Sequence, residues 1–400
     1  MARYWPEFAA NGKSDVRVRH LLSHTSGVSG WQERMTTADL YDWEKATRLL
    51  AAQAPWWEPG TASGYHALNQ GFLVGEVVRR ITGTTLGTFF RDEIATPLGA
   101  DFHIGLAPEH DARVARVILP QTGLPSDGDS RSIARRTLGN PPLDAEASWS
   151  EGWRRAEIAA VNGHGNARSV ATIQSVLACG GTLGGRRVLS APGCEAVFAE
   201  QSNGADLVLG VPVRFGLGYG LRTPEMFFLR SERSCFWGGW GGSLVVVDCA
   251  AQLVVAYLMN RMGEGTLGDV RGVGSCWRPT PGSRRERVRS SDVGAPRRRP
   301  SGRQRTLRSS RSMSSGEFGG TRPGTPSLPY ASSGGTCSFR CPPTFIVETP
   351  SSIAFSVCPF PRTNSSGWLA PEPSMRLPPT LIVYFTTAVW SSSVTDRCRP

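Results

Sequence analysis

Two stretches of the chain place apolar residues at helical spacing. Residues 69–83, NQGFLVGEVVRRITG, repeat apolar side chains every three to four positions and end at Gly83, a typical C-cap residue. Residues 166–181, NARSVATIQSVLACGG, follow the same design between an Asn and a Gly-Gly pair. The pattern therefore predicts a helix in each stretch. The apolar positions of the first helix are Phe72, Leu73, Val74, Val77, Val78 and Ile81.

Other stretches carry the patterns of strands. Residues 15–28, DVRVRHLLSHTSGV, alternate at first and then become helical, with the helix predicted to stop at Gly27. Residues 242–260, GSLVVVDCAAQLVVAYLMN, contain two β-branched runs around a polar turn, which is typical of an antiparallel hairpin. Together these patterns predict an α/β fold in which helices pack on a mixed sheet.

Charge divides the chain into two unequal parts. Residues 1–270 hold 25 Lys+Arg and 27 Asp+Glu, a net charge of −2, whereas residues 271–400 hold 19 and 6, a net charge of +13. Ser, Pro and Arg make up 59 of the last 130 residues, without a sustained helical or strand period. We therefore predict a folded body over 1–270 and a disordered tail over 271–400. A shift of reading frame near residue 271 in a GC-rich gene is a further hypothesis for this composition.

The tail offers two weaker alternatives. Its apolar runs TFIVET and TLIVYFTTAVW have strand-like composition, but no neighbouring sheet is predicted for them. The run RRERVRSSDVGAPRRRPSGRQRTLRSSR could hold phosphates through charge alone. It contains few aromatic residues and no known nucleic-acid module, so a solvated segment is favoured and no specific nucleic-acid partner is expected.

The remaining signals exclude several classes of site. The cysteines of the body lack a Cys-x-x-Cys pair, which argues against a zinc site and a disulfide framework and fits a reducing compartment. His20 and His24 are four residues apart like metal ligands, but no Glu or third ligand accompanies them. We interpret both as helix-surface or core histidines and expect no metal and no cofactor. The sequence has neither a signal peptide nor a membrane-length apolar run, so a cytoplasmic location is predicted.

Five ordered blocks resemble the β-lactamase-related serine hydrolases, the group of class C β-lactamases, penicillin-binding proteins and family VIII-type esterases. The likeness spans about residues 2–271 and implies a β-lactamase/transpeptidase-like α/β fold with a helical subdomain, N-terminally incomplete here. The blocks are VRHLLSHTSGV (18–28), WWEPGTASGYHALNQGFLVGEVVRRITG (56–83), IATPLGADFHIGL (94–106), NGHGNARSVATI (162–173) and FWGGWGGS through AYLMNRM (236–262).

The resemblance implies a proton-transfer role for Tyr65. In this family a Tyr-x-Asn or Ser-x-Asn element supplies the second catalytic station, and Tyr65 in SGYHALNQG matches its tyrosine. The family's Asn falls on Ala67, so the amide contact to substrate is absent, as in many esterase-like members. Asn69 lies on the next turn and is interpreted as a helix-side polar residue. His164, in NGHGNARS, is interpreted as a brace for a loop near the cleft.

The third station of the family matches Trp237, Gly238 and Gly239. A Lys-Thr-Gly, His-x-Gly or Trp-Gly-Gly strand lines the acyl pocket in relatives, and the Trp-Gly-Gly form is similar to the esterase branch. The resemblance implies that the two glycines allow close backbone approach, so that a main-chain N–H forms half of an oxyanion hole. Trp240 is expected to wall the rim. The alternative is a hairpin rim with two exposed indoles.

The first station of the family, a Ser-x-x-Lys turn, is absent from the sequence. The two lysines are Lys13 and Lys45, and the positions three residues before them hold Ala10 and Asp42. In the family this turn precedes the segment that matches ARYWPEF, so we hypothesise a truncated start. The predicted function is that of an esterase-like serine hydrolase, acting on a small ester or amide, that lacks its nucleophile and is inactive as given. A non-catalytic binding module that uses the same cleft is the alternative.

Overall fold

A seven-stranded antiparallel sheet forms the centre of the described chain. The structure, a computed structural model, describes residues 1–123, 129, 131–142 and 144–276 and the backbone of residues 353–357. The strands are β1 (Phe102–His103), β2 (His164–Gly165), β3 (Thr182–Leu183), β4 (Arg186–Arg187), β5 (Ser202–Ala205), β6 (Pro212–Phe215), β7 (Gly220–Leu221), β8 (Ser234–Gly238), β9 (Leu244–Asp248), β10 (Leu253–Tyr257) and β11 (Ile353–Val357). The central sheet has the order β11-β10-β9-β8-β7-β6-β5, while β1-β2 and β3-β4 form two small pairs.

Every pairing between the described strands is antiparallel. Strands β5 to β10 follow one another in both the chain and the sheet, so each connection reverses the chain direction. The described strands of the predicted sheet therefore all pair in the antiparallel sense. The predicted hairpin is confirmed, since β9 and β10 pair from Leu244 with Tyr257 to Asp248 with Leu253.

Helices cover both faces of the sheet, which confirms the α/β class. One core contains Trp237 and Val245 together with residues of α7, and the other contains Phe236 and Val246 together with Val273 of α9. Neighbouring strand residues thus bury opposite faces, as the period of two requires. Beside the sheet, α1, α2 and α4 pack against α3. The helices are α1 (Val18–Leu22), α2 (Trp43–Ala52), α3 (Gln70–Thr82), α4 (Leu86–Phe90), α5 (Ile133–Leu138), α6 (Glu151–Arg155), α7 (Ala167–Ala178), α8 (Ala191–Ala196) and α9 (Val270–Cys276).

The two long predicted helices are confirmed as α3 and α7. Gly83 ends α3 in the left-handed conformation with φ +73°, and its N–H bonds back to the helix. The Asn166 side chain caps α7 by accepting the N–H of Ser169 at 2.8 Å. The helix predicted to reach Gly27 instead ends at Leu22, because His24 turns the backbone with φ +60°.

Two elements lie beyond the predicted boundary at residue 270. Helix α9 continues to Cys276, and β11 pairs with β10 over five residues of each strand. The composition of the tail predicted neither of them. The runs TFIVET and TLIVYFTTAVW and the Arg-rich segment lie outside the described residues.

Cysteine chemistry differs in part from expectation. Cys179 is disulfide-bonded, which the sequence did not predict. Within the described ranges, no cluster of three or more His, Cys, Asp or Glu has the arrangement of a metal site. In the same part of the chain, every helix is too short or too polar to cross a bilayer. Free thiols occur at Cys194, Cys235, Cys249 and Cys276.

Candidate functional site

The structure brings Tyr65 and Trp237 together from distant parts of the chain. Tyr65 lies in the loop before α3, and Trp237 lies near the end of β8. Their ring centroids are 5.8 Å apart at an angle of 45°. Tyr65 is half-buried and Trp237 is buried, at 3% exposed. The two predicted stations therefore form one cluster.

His24 is the centre of this cluster, although the sequence did not indicate it. Its ring stacks on Trp237 at 5.4 Å and 14°, and lies 5.0 Å from the rings of both Tyr65 and Phe215. Its side chain is fully buried, which agrees with the interpretation of His24 as a core histidine. It lies beyond the end of α1, whereas His20 lies on that helix, so the pair does not share a helical face.

A buried chain of hydrogen bonds supports the Tyr65 loop. The backbone N–H of His66 donates to His24 Nδ1 at 3.0 Å. The His66 ring donates from Nδ1 to the Gly64 carbonyl and accepts the Ser26 hydroxyl at Nε2, both at 2.6 Å. Ser26 and His66 are at most 1% exposed. The Ser26–His66 pair thus has the geometry of a nucleophile and base, but it lies inside the fold, where it braces two loops.

Asp206 fixes the backbone of Tyr65 from a second loop. One oxygen of its carboxylate accepts the backbone N–H groups of Tyr65 at 3.0 Å and of Val208 and Leu209 at 2.9 Å. Burial and the Asp206 charge raise the pKa of the Tyr65 hydroxyl above its usual value. Tyr65 is therefore a neutral phenol at pH 7, able to donate a hydrogen bond but unsuited to act as a base in this state.

The two Trp-Gly-Gly units have different structural requirements. Gly238 lies in β8, and a Cβ there would be 2.4 Å from the backbone carbon of Leu267. Gly241 and Gly242 instead form the turn after β8 with φ of +95° and +111°, which side chains disfavour. The first unit needs its glycine for close backbone contact, and the second needs its glycines for chain reversal.

One main-chain N–H of the Trp-Gly-Gly segment is already hydrogen-bonded within the turn. The N–H of Gly239 donates to the Ser243 carbonyl at 3.1 Å and closes the hairpin. Trp240 is 7% exposed, so it contributes to the core and does not form an open rim. The alternative of two exposed indoles is also wrong, because Trp237 is buried as well.

Arg271 braces the same turn from α9. Its guanidinium donates to the carbonyls of Gly241 at 3.1 Å and Arg261 at 2.9 Å and pairs with Asp269. Asp269 lies against Gly242, where a Cβ would collide with its carboxylate. The folded body therefore includes residues just beyond 270, the boundary predicted from composition.

Both lysines form contacts away from Tyr65 and Trp237. Lys13 is buried, donates to the carbonyls of Ala10 and Gln53, and has its pKa lowered to about 8 by burial. Lys45 pairs with Asp39 at 2.5 Å in a partly exposed ion pair. The contacts of neither residue place an ammonium group against Tyr65.

Two other residues singled out in the sequence are buried. Asn69 precedes α3, and its amide donates to the Val28 carbonyl at 2.8 Å, so it ties the helix start to the Ser26 loop. His164 pairs with His103 between β2 and β1. Burial lowers the pKa of His164 to about 4. His103, its partner on β1, is not part of the Tyr65 cluster.

The free energy of unfolding is expected to fall as the pH drops from 7.5 to 5. Burial lowers the pKa of His66 and His164 to about 4 and that of His24 well below its usual value. Below about pH 6.5 the unfolded chain therefore binds protons that the folded chain does not, which favours unfolding. His66 and His164 should each contribute a loss of about 2 kcal/mol by pH 5.

Urea unfolding at pH 7.5, 6 and 5 measures this effect. The described carboxylates with lowered pKa, such as Asp101 and Asp111, exchange protons on unfolding only at lower pH, so the window reports mainly the histidines. The variant His66→Gln should show a smaller loss between pH 7.5 and 5 than the native chain. An unfolding free energy that stays constant over this window would contradict the prediction.

The sequence and the fold both match known proteins. The beta-lactamase family matches residues 1–272. The chain is 35% identical over 234 residues to the Esterase/beta-lactamase LipL of Mycobacterium tuberculosis, and the alignment covers 55% of this chain and 53% of LipL. The chain thus spans about half the length of this curated relative.

Three solved structures are also similar to this chain in fold and sequence. A family VIII carboxylesterase is 43% identical with a TM-score of 0.63, covering 69% of this chain and 73% of the other. A penicillin-binding protein homologue from Caulobacter crescentus is 35% identical with a TM-score of 0.63 and the same coverage. EstA from Arthrobacter nitroguajacolicus is 30% identical with a TM-score of 0.62, covering 69% and 74%. The family match includes both Tyr65 and Trp237.

Proposed function

Because the chain belongs to the beta-lactamase family, which includes serine hydrolases and esterases, we propose that it carries two parts of an esterase-like site. These are the Tyr65 loop and the Trp-Gly-Gly strand at Trp237. The single observation that supports the proposal is their meeting, with ring centroids 5.8 Å apart, although they come from separate elements. The 43% identity to a family VIII carboxylesterase favours an ester over a β-lactam as the ligand.

In the sequence as given, we propose that this site binds and orients a small ester or amide but forms no acyl-enzyme. A serine hydrolase needs a nucleophile activated by a neighbouring base. Ser-x-x-Lys is absent from the 400 residues, and the lysines that are present are bonded elsewhere. The neutral Tyr65 hydroxyl can donate to an ester oxygen, and the Trp237 indole can pack against an apolar acyl or alcohol group.

The binding part of the proposal is tested with phenyl butyrate. We expect a saturable change of tryptophan fluorescence in the native chain, because the ester would lie against Trp237. Trp237→Phe should weaken binding about fivefold and reduce the signal, since a smaller ring loses roughly 1 kcal/mol of apolar contact.

The matched control is Trp149→Phe. Trp149 is half-buried and bonds from its indole N–H to the Val117 carbonyl, away from the described Tyr65 cluster. This variant should bind phenyl butyrate as the native chain does. Equal loss of binding in both variants, or no saturable signal in the native chain, would contradict the proposed function.

A further inference from the structure

His24 holds a strained position at the centre of the aromatic cluster. It is one of three described non-glycine residues with positive φ, at +60°, a conformation that is unfavourable for an ordinary side chain. Its ring is fully buried among Tyr65, Phe215 and Trp237. The structure thus places a polar ring at the contact between the two predicted stations.

One ring nitrogen of His24 has a hydrogen-bond partner among the described residues, and the other has none. Nδ1 accepts the backbone N–H of His66, so in the neutral ring the proton lies on Nε2. Burial and the neighbouring His66 lower the pKa of His24, which keeps the ring neutral. Among the described residues, none accepts a hydrogen bond from Nε2. A buried donor without an acceptor is destabilising, so an acceptor is expected from outside these residues.

The charges around the cluster restrict what that acceptor can be. The ionised group that acts on Tyr65 is the Asp206 carboxylate, which disfavours a second anion. Lys13 and Lys45 are bonded elsewhere and supply no compensating positive charge. A neutral oxygen therefore fits better than a carboxylate. The aromatic rings around it favour an acceptor that carries apolar groups.

We propose that the Nε2–H of His24 donates a hydrogen bond to the carbonyl oxygen of the bound ester. His24 is then a second polar contact, beside the Tyr65 hydroxyl, that orients the ligand within a largely aromatic site. The inference rests on the proposed function, since it assumes that an ester enters the cluster. It adds a residue and a ligand atom that neither the tyrosine nor the Trp-Gly-Gly station supplies.

Two substitutions separate the Nε2 donor from the rest of the side chain. In His24→Asn, the amide oxygen can take the place of Nδ1 and accept the His66 N–H, while the Nε2 donor is lost. Asn also tolerates positive φ. In His24→Gln, the amide N–H₂ can reach the place of Nε2 and keep the donor. Both variants lose the stacked ring, and His24→Gln also gives up the Nδ1 acceptor. Tighter binding by His24→Gln than by His24→Asn, in spite of that loss, therefore reports the donor.

The test is a titration of the full chain and both variants with phenyl butyrate. We expect His24→Asn to bind three- to tenfold more weakly than His24→Gln, the effect of one hydrogen bond. In the native chain labelled with ¹⁵N-histidine, the His24 Nε2–H resonance should shift on addition of phenyl butyrate. This second measurement decides the question if His24→Asn fails to fold.

The outcomes distinguish the inference from the proposed function. Saturable binding with an unmoved Nε2 resonance overturns the role of His24 and leaves the proposed function standing. A buried water molecule as the permanent acceptor would give that result. Butyrate, the carboxylate without the ester group, should leave the resonance unmoved. A shift with butyrate alone would overturn the assignment to an ester carbonyl. Absence of any binding overturns both.

Discussion

The purified chain is expected to hydrolyse 4-nitrophenyl butyrate without a burst of 4-nitrophenol, about a million-fold more slowly than a family VIII carboxylesterase. Loss of the nucleophile in a serine hydrolase removes roughly six orders of magnitude from turnover. Binding and oriented donors then leave about a thousandfold over water. The sequence lacks Ser-x-x-Lys, and Tyr65 is a neutral phenol whose anion is disfavoured by burial and by the Asp206 charge.

A fluorophosphonate probe gives the complementary measurement, since it labels activated serines covalently. No adduct is expected on the native chain. Ser26 is the residue to control for, because its hydroxyl lies 2.6 Å from His66 Nε2. Stoichiometric labelling that disappears in Ser26→Ala would make this buried pair a nucleophile and its base, and labelling that persists would place the nucleophile elsewhere. Either result would contradict the proposal.

Gly238→Ala is expected to lower the free energy of unfolding by about 3 kcal/mol. The new methyl would lie 2.4 Å from the carbon of Leu267 and 2.6 Å from the nitrogen of Gly268. These are backbone atoms, so no flexible side chain can yield. Strand β8 cannot move away easily either, because it pairs with β7 on one side and β9 on the other. Forcing a methyl into such packing typically costs 1–3 kcal/mol or more.

Urea unfolding followed by tryptophan fluorescence measures this loss, with Gly274→Ala as the matched control. Gly274 lies on the exposed side of α9, and a Cβ there meets nothing within 4 Å. That substitution should be neutral or stabilise by up to about 1 kcal/mol, since Ala favours a helix more than Gly. If both substitutions had the same effect, close contact with Leu267 would not be the reason for glycine at 238.

Local signals made part of the fold predictable. Helices α3 and α7 were predicted from apolar spacing and from caps at Gly83 and Asn166, which act within one turn of the helix. The β9–β10 hairpin was predicted from two β-branched runs around a polar turn. Strand directions across the sheet and the pairing of β11 with β10 depend on contacts between distant segments, and no periodicity records those. The β-lactamase/transpeptidase-like fold itself is confirmed by its relatives.

The candidate site was predictable only where a motif marks it. Tyr65 and Trp237 lie in recognisable blocks, and the structure places them together. His24 was judged from its spacing to His20, whereas its position depends on a left-handed turn and on stacking with a residue of β8. Asp206 gave no signal, because a single Asp in a loop becomes informative only when its hydrogen-bond partners are known.

The Asp206 carboxylate also determines how this part of the molecule can fluctuate. A single oxygen accepts the amides of Tyr65, Val208 and Leu209, which belong to two loops far apart in the chain. If that oxygen withdraws, all three amides lose their partner at once. Amide hydrogen exchange at the three positions should therefore occur through one shared opening. The two loops then behave as one cooperative unit, and access to the Tyr65 ring is coupled to the residues that follow Asp206.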